Sequence, residues 1–327
     1  MNTISMRLKY IDFLKGFAIF LMVMGHFLSW SFEEGLPTNN MSVRIVRDLI
    51  YAFHMPLFMF MSGYVIDIKN RNFSSSTSIW KLEKKRIQTL LIPCVTALVA
   101  GYLLRDRYLE LPWFLIVLFF ITSLFCLIKM ACMIIKANKR VHYAMLFGGY
   151  VVLFLINRAT EGTIVNEFFA LTQTQIMYPY FVIGYLFQQE NVYRYCKRFP
   201  IYTIAFISFC ALFYFYHFLS LGNSARAMLR YALATAGILV SYELARNVNQ
   251  SSKLYISYSK LGGGKFTNIP VILLLHPNIP RNRGTHRLGS PLRYCNLAYN
   301  YFYTVNIKSC CISLLRDNVL DSRQNNK

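Results

Sequence analysis

Charged residues are scarce in this chain, and acidic residues are the scarcest. Only 15% of its 327 residues are Asp, Glu, Lys or Arg, and only 14 are acidic, whereas soluble domains average about 25% charged residues. Apolar and aromatic residues make up 55% of the chain, and the mean hydropathy is +0.37. This composition excludes a disordered chain and disfavours a water-soluble globule. It favours a protein that crosses a membrane several times.

Cysteine spacings typical of metal sites or disulfide frameworks are also lacking, and so are internal repeats. The eight cysteines are scattered, without the spacing of a zinc site or the dense, even set of a small disulfide-linked domain. We therefore expect no metal site and no disulfide framework.

Eight apolar segments are close to the roughly 20 residues that a helix needs to cross the hydrocarbon core. Backbone amides in lipid must be bonded internally, so these segments are predicted to be helices. The predicted fold class is all-α, a polytopic membrane helix bundle. The predicted spans are residues 10–30, 46–68, 87–104, 111–128, 141–156, 168–187, 199–221 and 228–245.

The basic residues alternate from loop to loop. With a cytoplasmic N-terminus, 18 Lys and Arg lie in the cytoplasmic loops, which include 69–86 and 246–260, and 7 lie on the opposite side. This asymmetry follows the positive-inside rule and decides the predicted orientation. It also explains the net charge of +21 through contact with membrane lipid, so we expect no nucleic-acid partner.

The first span carries three polar residues that are costly in lipid. Asp12, Lys15 and His26 interrupt YIDFLKGFAIFLMVMGHFLSW, and the spacing of Lys15 and His26 places them on one helix face, about 16 Å apart along the axis. Lys15 either extends to the cytoplasmic interface beside Asp12 or faces the bundle interior. His26, in the outer half, is either a neutral hydrogen-bonding residue between helices or a functional one.

The second span places another histidine in the same half of the membrane. In AFHMPLFMFMSGYVI, His54 precedes a proline that frees a backbone carbonyl, and Ser62 lies deeper. His54 therefore either partners this kink or belongs to a site. Before the third span, the KLEKKR segment concentrates Lys84, Lys85 and Arg86, which either bind phosphate groups or follow the positive-inside bias.

These segments together resemble the acyltransferase-3 family of integral membrane acyltransferases. The resemblance rests on IDFLKGFAIFLMVMGH, in which a basic residue is followed after ten residues by His, and on FHMPLFMFMSGY, KKRIQTLLIP and LPWFLIVLF, which contains Trp113. It covers residues 8–260, more faintly after 130. Members of this family commonly have about ten spans, whereas eight are clear here.

The resemblance implies an enzyme that moves an acyl group, commonly acetyl, from a coenzyme A thioester to a hydroxyl of an extracytoplasmic glycan. His26 would act as base or transient acyl carrier, Asp12 would orient Lys15, and His54 or Ser62 would polarise a carbonyl. Lys15, Lys84, Lys85, Arg86 and Trp113 would belong to the donor site. Acyl-CoA is then a substrate rather than a resident cofactor, the acceptor is a surface glycan or a lipid-linked saccharide, and the location is the bacterial inner membrane.

The end of the chain departs from this pattern. We predict a core at 1–260 and an atypical tail at 261–327, where IPVILLLHP with His276 resembles a remnant of a further span before a basic, Asn-rich stretch. A frame-shifted remnant of the last spans and a divergent extramembrane tail both fit. Two other functions stay open: a transporter or flippase for a glycan or small molecule, and an inactive truncated family member.

Overall fold

The computed structural model describes residues 3–33, 41–69, 76–92, 94–95, 113–192, 201–219 and 222–263. Within these ranges the chain forms ten α-helices and no strand, so the all-α prediction is confirmed. The tail at 264–327 and its His276 lie outside the described residues, so its predicted character stays a prediction. The helices are α1 Thr3–Glu33, α2 Met41–Lys69, α3 Ser76–Arg86, α4 Trp113–Ile134, α5 Lys139–Thr160, α6 Ile164–Phe168, α7 Leu171–Gln189, α8 Ile201–Phe218, α9 Asn223–Asn247 and α10 Lys253–Gly262.

Seven of the eight predicted spans coincide with long helices. The third begins as a π-helical turn, Ile87–Leu91, and its residues 96–104 lie outside the described part. Among the residues that the structure describes, three helical segments are long and apolar enough to cross a membrane, Met41–Ile66, Trp113–Ile134 and Lys139–Thr160, and Tyr202–Phe218 is a shorter apolar helix. These helices indicate an integral membrane protein, while the count of eight spans and the cytoplasmic N-terminus stay predictions.

The described helices fall into two units. The first unit contains α1, α2, the part of α7 from Pro179, α8, α9 and α10. Its core is apolar and aromatic, as burial in a helix bundle requires, and Phe13, Leu57, Phe60, Phe181 and Tyr242 are almost fully buried.

Two glycines bring α2 and α7 into backbone contact in this first unit. A Cβ atom on Gly63 would collide with the backbone oxygen of Phe181, and one on Gly184 would collide with that of Phe60. Small residues allow membrane helices to approach this closely, which increases their van der Waals contact. The α2–α7 crossing therefore depends on glycine at both positions.

Helix α10 corrects part of the sequence prediction. Residues 246–260 were expected to be a cytoplasmic loop, but Lys253–Gly262 is helical and packs along α1. The Phe13 ring stacks on Tyr255 at 5.1 Å and meets the edge of Tyr258 at 5.4 Å, and a Cβ on Gly262 would collide with the backbone oxygen of Asp12. The aromatic and glycine positions of α10 share one face, which an apolar partner helix buries.

The second unit contains α3 with its π-helical turn, α4, α5, α6 and the first part of α7. Helix α4 supplies more of its buried apolar residues than any other helix, including Val117, Ile121 and Phe125. The buried Tyr178 hydroxyl donates to the Leu146 carbonyl of α5 at 2.9 Å. Much of the apolar surface of α5 is exposed, including Phe147 and Leu155, as expected of a helix that faces lipid.

Candidate active site

Two of the predicted histidines lie on either side of one tyrosine in the first unit. The Tyr51 ring of α2 meets the His54 ring edge-on at 5.1 Å between centroids, and it meets the His26 ring of α1 in the same manner at 6.4 Å. A Cβ on Gly25 would lie 3.0 Å from the Ile50 side chain, so α1 and α2 are in close contact here. We call His26, Tyr51 and His54 the histidine cluster.

The two imidazoles have different surroundings. His54 is buried, and its Nδ1 lies 2.8 Å from the Ile50 carbonyl. A carbonyl only accepts, so Nδ1 carries the proton and the basic lone pair of the neutral ring is on Nε2. His26 is exposed in the described part of the chain. The cluster thus joins a buried ring with a fixed tautomer to an exposed ring.

A polar group of three side chains marks the end of the first unit that is nearest to the histidine cluster. His217 Nδ1 of α8 lies 3.3 Å from Asp48 Oδ2 of α2. Arg47 donates from Nε at 3.0 Å and from a terminal nitrogen at 2.8 Å to the other oxygen of Asp48. Six residues separate Asp48 from His54, which is about 9 Å along a helix.

A tyrosine cluster marks the opposite end of the same helices. The hydroxyls of Tyr10 and Tyr64 are 2.7 Å apart, Tyr242 lies 3.4 Å from Tyr64, and Arg246 donates to Tyr242 at 3.2 Å. The Arg246 guanidinium also lies 5.0 Å from the centre of the Tyr10 ring, a cation–π distance. This cluster joins α1, α2 and α9 far from the histidines.

Asp12 and Lys15 are brought together, as predicted. The Lys15 ammonium lies 3.9 Å from Asp12 Oδ1, and the lysine side chain is 10% exposed while that of Asp12 is 28% exposed. Lys15 therefore lies inside the bundle rather than extending to the interface. His26 is eleven positions after Lys15, a step of about 16 Å along α1, so this pair and the histidine cluster occupy different depths.

Ser62 is not brought to the histidine cluster. Its hydroxyl donates to the Phe58 carbonyl of its own helix at 2.9 Å, and it is eight residues, or about 12 Å, from His54. Its predicted role in polarising a carbonyl beside His54 gains no support from this placement.

The basic residues before the third span divide into two kinds. Lys84 and Lys85 are exposed, whereas Arg86 is directed at α4, where a terminal nitrogen donates to the Thr122 carbonyl at 3.1 Å and to Cys126 Sγ at 3.0 Å. Arg86 also pairs with Glu83 at 3.5 Å, and Ser123 donates to Glu83. Arg86 therefore anchors α3 to α4, and Lys84 is better placed to meet an anion.

Trp113 begins α4 and is half-buried, with its ring 6.2 Å from Phe114. It lies in the second unit with Lys84, Lys85 and Arg86, whereas Asp12, Lys15, His26, His54 and Ser62 lie in the first. The described residues contain no group of three or more His, Cys, Asp or Glu side chains that could hold a metal.

Sequence reasoning missed several residues that the fold brings together. Tyr51 precedes His54 by three residues, a spacing that places both on one helix face, so this neighbour was recognisable. The Asp48–His217 pair and the tyrosine cluster join residues far apart in the chain, and no local pattern reveals them. A third grouping, Cys132 with His142, spans the α4–α5 connection.

Comparison with known proteins gives one match over most of the chain. A family profile described as an acyltransferase domain, that of the acyltransferase-3 family, matches residues 8–261. Nodulation protein NolL of Sinorhizobium fredii is 44% identical over 54 residues, which cover 16% of this chain and 14% of that relative. The chain thus aligns with only a small part of that relative's length. No solved structure matches the chain significantly.

Proposed function

Because the chain belongs to the acyltransferase-3 family, we propose that it is an integral membrane enzyme that transfers an acyl group, acetyl in the first instance, from cytoplasmic acyl-CoA to a hydroxyl of an extracytoplasmic glycan. The acceptor is a surface glycan or a lipid-linked saccharide, and the enzyme resides in a bacterial inner membrane with its N-terminus in the cytoplasm.

The histidine cluster is the observation that carries this proposal. Acyl transfer to a hydroxyl needs a base that takes the hydroxyl proton as the oxygen attacks the thioester carbonyl. His26 is the exposed ring of the cluster and takes this proton or receives the acyl group transiently. His54 is held by its hydrogen bond to the Ile50 carbonyl, which leaves Nε2 as its basic nitrogen. Through its ring contact with Tyr51 it positions the cluster.

The donor is a thioester with several phosphate groups, and these need cationic partners. The exposed Lys84 and Lys85 are suited to them, and Trp113 can stack on a planar ring. Arg86 contributes to the donor site only indirectly, by holding α3 against α4, because its guanidinium is hydrogen-bonded to α4. Lys15, whose amine lies 3.9 Å from Asp12 Oδ1, supplies a buried hydrogen-bond donor on the same helix as His26.

The test is transfer of radiolabelled acetyl from acetyl-CoA in inside-out membrane vesicles, with label counted in the glycan and lipid-linked saccharide fractions. His26→Ala should lower incorporation at least about 100-fold, the lower range for loss of a general base, at an unchanged amount of inserted protein. His217→Gln is the matched control, because glutamine keeps a donor for Asp48 outside the histidine cluster. Incorporation by His26→Ala within twofold of the wild type would remove the central assignment, and translocation without covalent transfer would favour a transporter.

A further inference from the structure

The α4–α5 connection of the second unit holds a thiol and an imidazole in hydrogen-bonding contact. Cys132 Sγ, in the last turn of α4, lies 3.3 Å from His142 Nδ1, in the first turn of α5. His142 is buried, whereas Cys132 is half-exposed. A nucleophile within reach of a base is the arrangement that activates cysteine for covalent catalysis.

The backbone holds both side chains rigidly. The Ala137 amide donates to the Cys132 carbonyl at 2.8 Å, which closes the end of α4, and Lys136 takes a left-handed φ of 49° to turn the chain. Asn138 caps α5 by accepting the Val141 amide at 3.0 Å. The pair therefore lies on two well-capped helix ends, where little conformational freedom must be lost before reaction.

The surroundings of this pair differ from those of the other described cysteines. Cys126 accepts a hydrogen bond from Arg86, Cys94 is buried, and Cys210 is exposed on α8. Among the cysteines in the described residues, Cys132 is the one bonded to a histidine. Its thiol also donates to the sulfur of Met145 at 3.3 Å, but a thioether is a weak acceptor that takes up no proton, so the imidazole is the neighbour that can remove the thiol proton.

Positive charge surrounds the same helix ends. Lys129 lies one turn before Cys132, with its ammonium 5.6 Å from the centre of the Phe125 ring. Lys136, Lys139 and Arg140 are exposed on the connection and the start of α5. Four basic residues beside a thiol suit a ligand that joins phosphate groups to a thioester.

We propose that Cys132 and His142 form an acyl-loading site, at which the acyl group of the donor is transferred to the Cys132 sulfur. This inference rests on the proposed function for the identity of the donor. His142 Nδ1 takes the thiol proton, the thiolate attacks the thioester carbonyl, and the bond between that carbonyl and the coenzyme sulfur breaks. The imidazolium returns the proton to the departing coenzyme thiolate. One thioester replaces another, so no oxidant or reductant is required.

The test uses the purified full chain, carbon-14-labelled acetyl-CoA and no acceptor. After denaturation, protein-bound label that neutral hydroxylamine releases should approach one acetyl group per chain and map to the peptide that contains Cys132. Cys132→Ser, which keeps the side-chain size, should lose this label. His142→Gln should slow its appearance about 10²- to 10⁴-fold, the usual contribution of a general base. Cys210→Ser is the matched control and should load like the wild type.

Two outcomes overturn the inference: hydroxylamine-labile label that persists in Cys132→Ser, and acetyl transfer to glycan that is undiminished in that variant. Failure of the proposed function has a different signature. In that case Cys132 becomes labelled but no acetyl group reaches a glycan hydroxyl in vesicles. His26→Ala should still load Cys132, because the first half-reaction uses the donor and residues of the second unit, whereas His26 belongs to the first.

Discussion

At the scale of single residues, polar side chains in a membrane helix are informative because burial without a partner is costly. Asp12, Lys15, His26 and His54 were identified on this ground, and the structure gives Lys15 a carboxylate and His54 a carbonyl. Sequence alone could not tell whether a basic residue meets a ligand or another helix. Arg86 and Lys84 are two residues apart and equally charged, yet Arg86 contacts α4 and Lys84 is exposed.

This difference predicts opposite effects of two similar substitutions. Arg86→Ala should lower the stability of the detergent-solubilised protein by about 1.5–3 kcal/mol, the range for hydrogen bonds of a charged group, because the Thr122 carbonyl and Cys126 lose their donor and Glu83 loses its cationic partner. Lys84→Ala should leave the melting temperature unchanged and raise the KM for acyl-CoA several-fold at low salt, less so at high salt. Thermal unfolding and donor titration measure the two effects. Equal melting temperatures would contradict the anchoring role of Arg86.

At the scale of helices, hydrophobic length predicts where elements form better than how they pack. Seven predicted spans coincide with helices because each must satisfy its own backbone in lipid. Helix α10 was missed because Lys253–Gly262 is too short to span and carries two lysines, so it looks like a loop in hydropathy. The aromatic residues on one face of α10 pack against Phe13 of α1, a contact that hydropathy does not reveal. The α2–α7 crossing was equally hidden, since no sequence pattern pairs Gly63 with Gly184.

Glycine contacts at this crossing predict a contrast between two Gly→Ala substitutions. Gly184→Ala should destabilise the first unit by about 1–3 kcal/mol, as overpacking does, because its Cβ would meet the backbone oxygen of Phe60, which cannot rotate away. Gly148→Ala in α5 meets nothing within 4 Å and should be neutral or stabilising by about 0.5–1 kcal/mol. Thermal melts of the solubilised variants test this, and equal melting temperatures would exclude the tight crossing.

At the scale of the whole chain, the first unit has two polar ends. The Asp48–His217 pair lies at one, and the tyrosine cluster with Arg246 lies at the other. Sixteen residues separate Asp48 from Tyr64 on α2, or about 24 Å, which is close to the thickness of the hydrocarbon core. His217 lies 3.3 Å from Asp48, so both residues are at the same end of this unit, an arrangement that an even number of predicted spans between them, six here, would produce.

This arrangement predicts which side of the membrane each end faces. From the predicted excess of 18 Lys and Arg over 7 on the cytoplasmic side, which includes Arg246, we expect the tyrosine end to face the cytoplasm and the Asp48 end to face outward. In Ser224→Cys the new thiol lies at the start of α9, beside the Asp48 end, and in Ser251→Cys it follows the tyrosine end; both serines are exposed. A membrane-impermeant maleimide on spheroplasts, read by peptide mapping, should modify only the Ser224→Cys thiol until the membrane is permeabilised. The reverse pattern would place the histidine cluster nearer the cytoplasm, where a histidine base could not reach an extracytoplasmic hydroxyl. Modification of both thiols before permeabilisation would mean that α9 does not span the membrane.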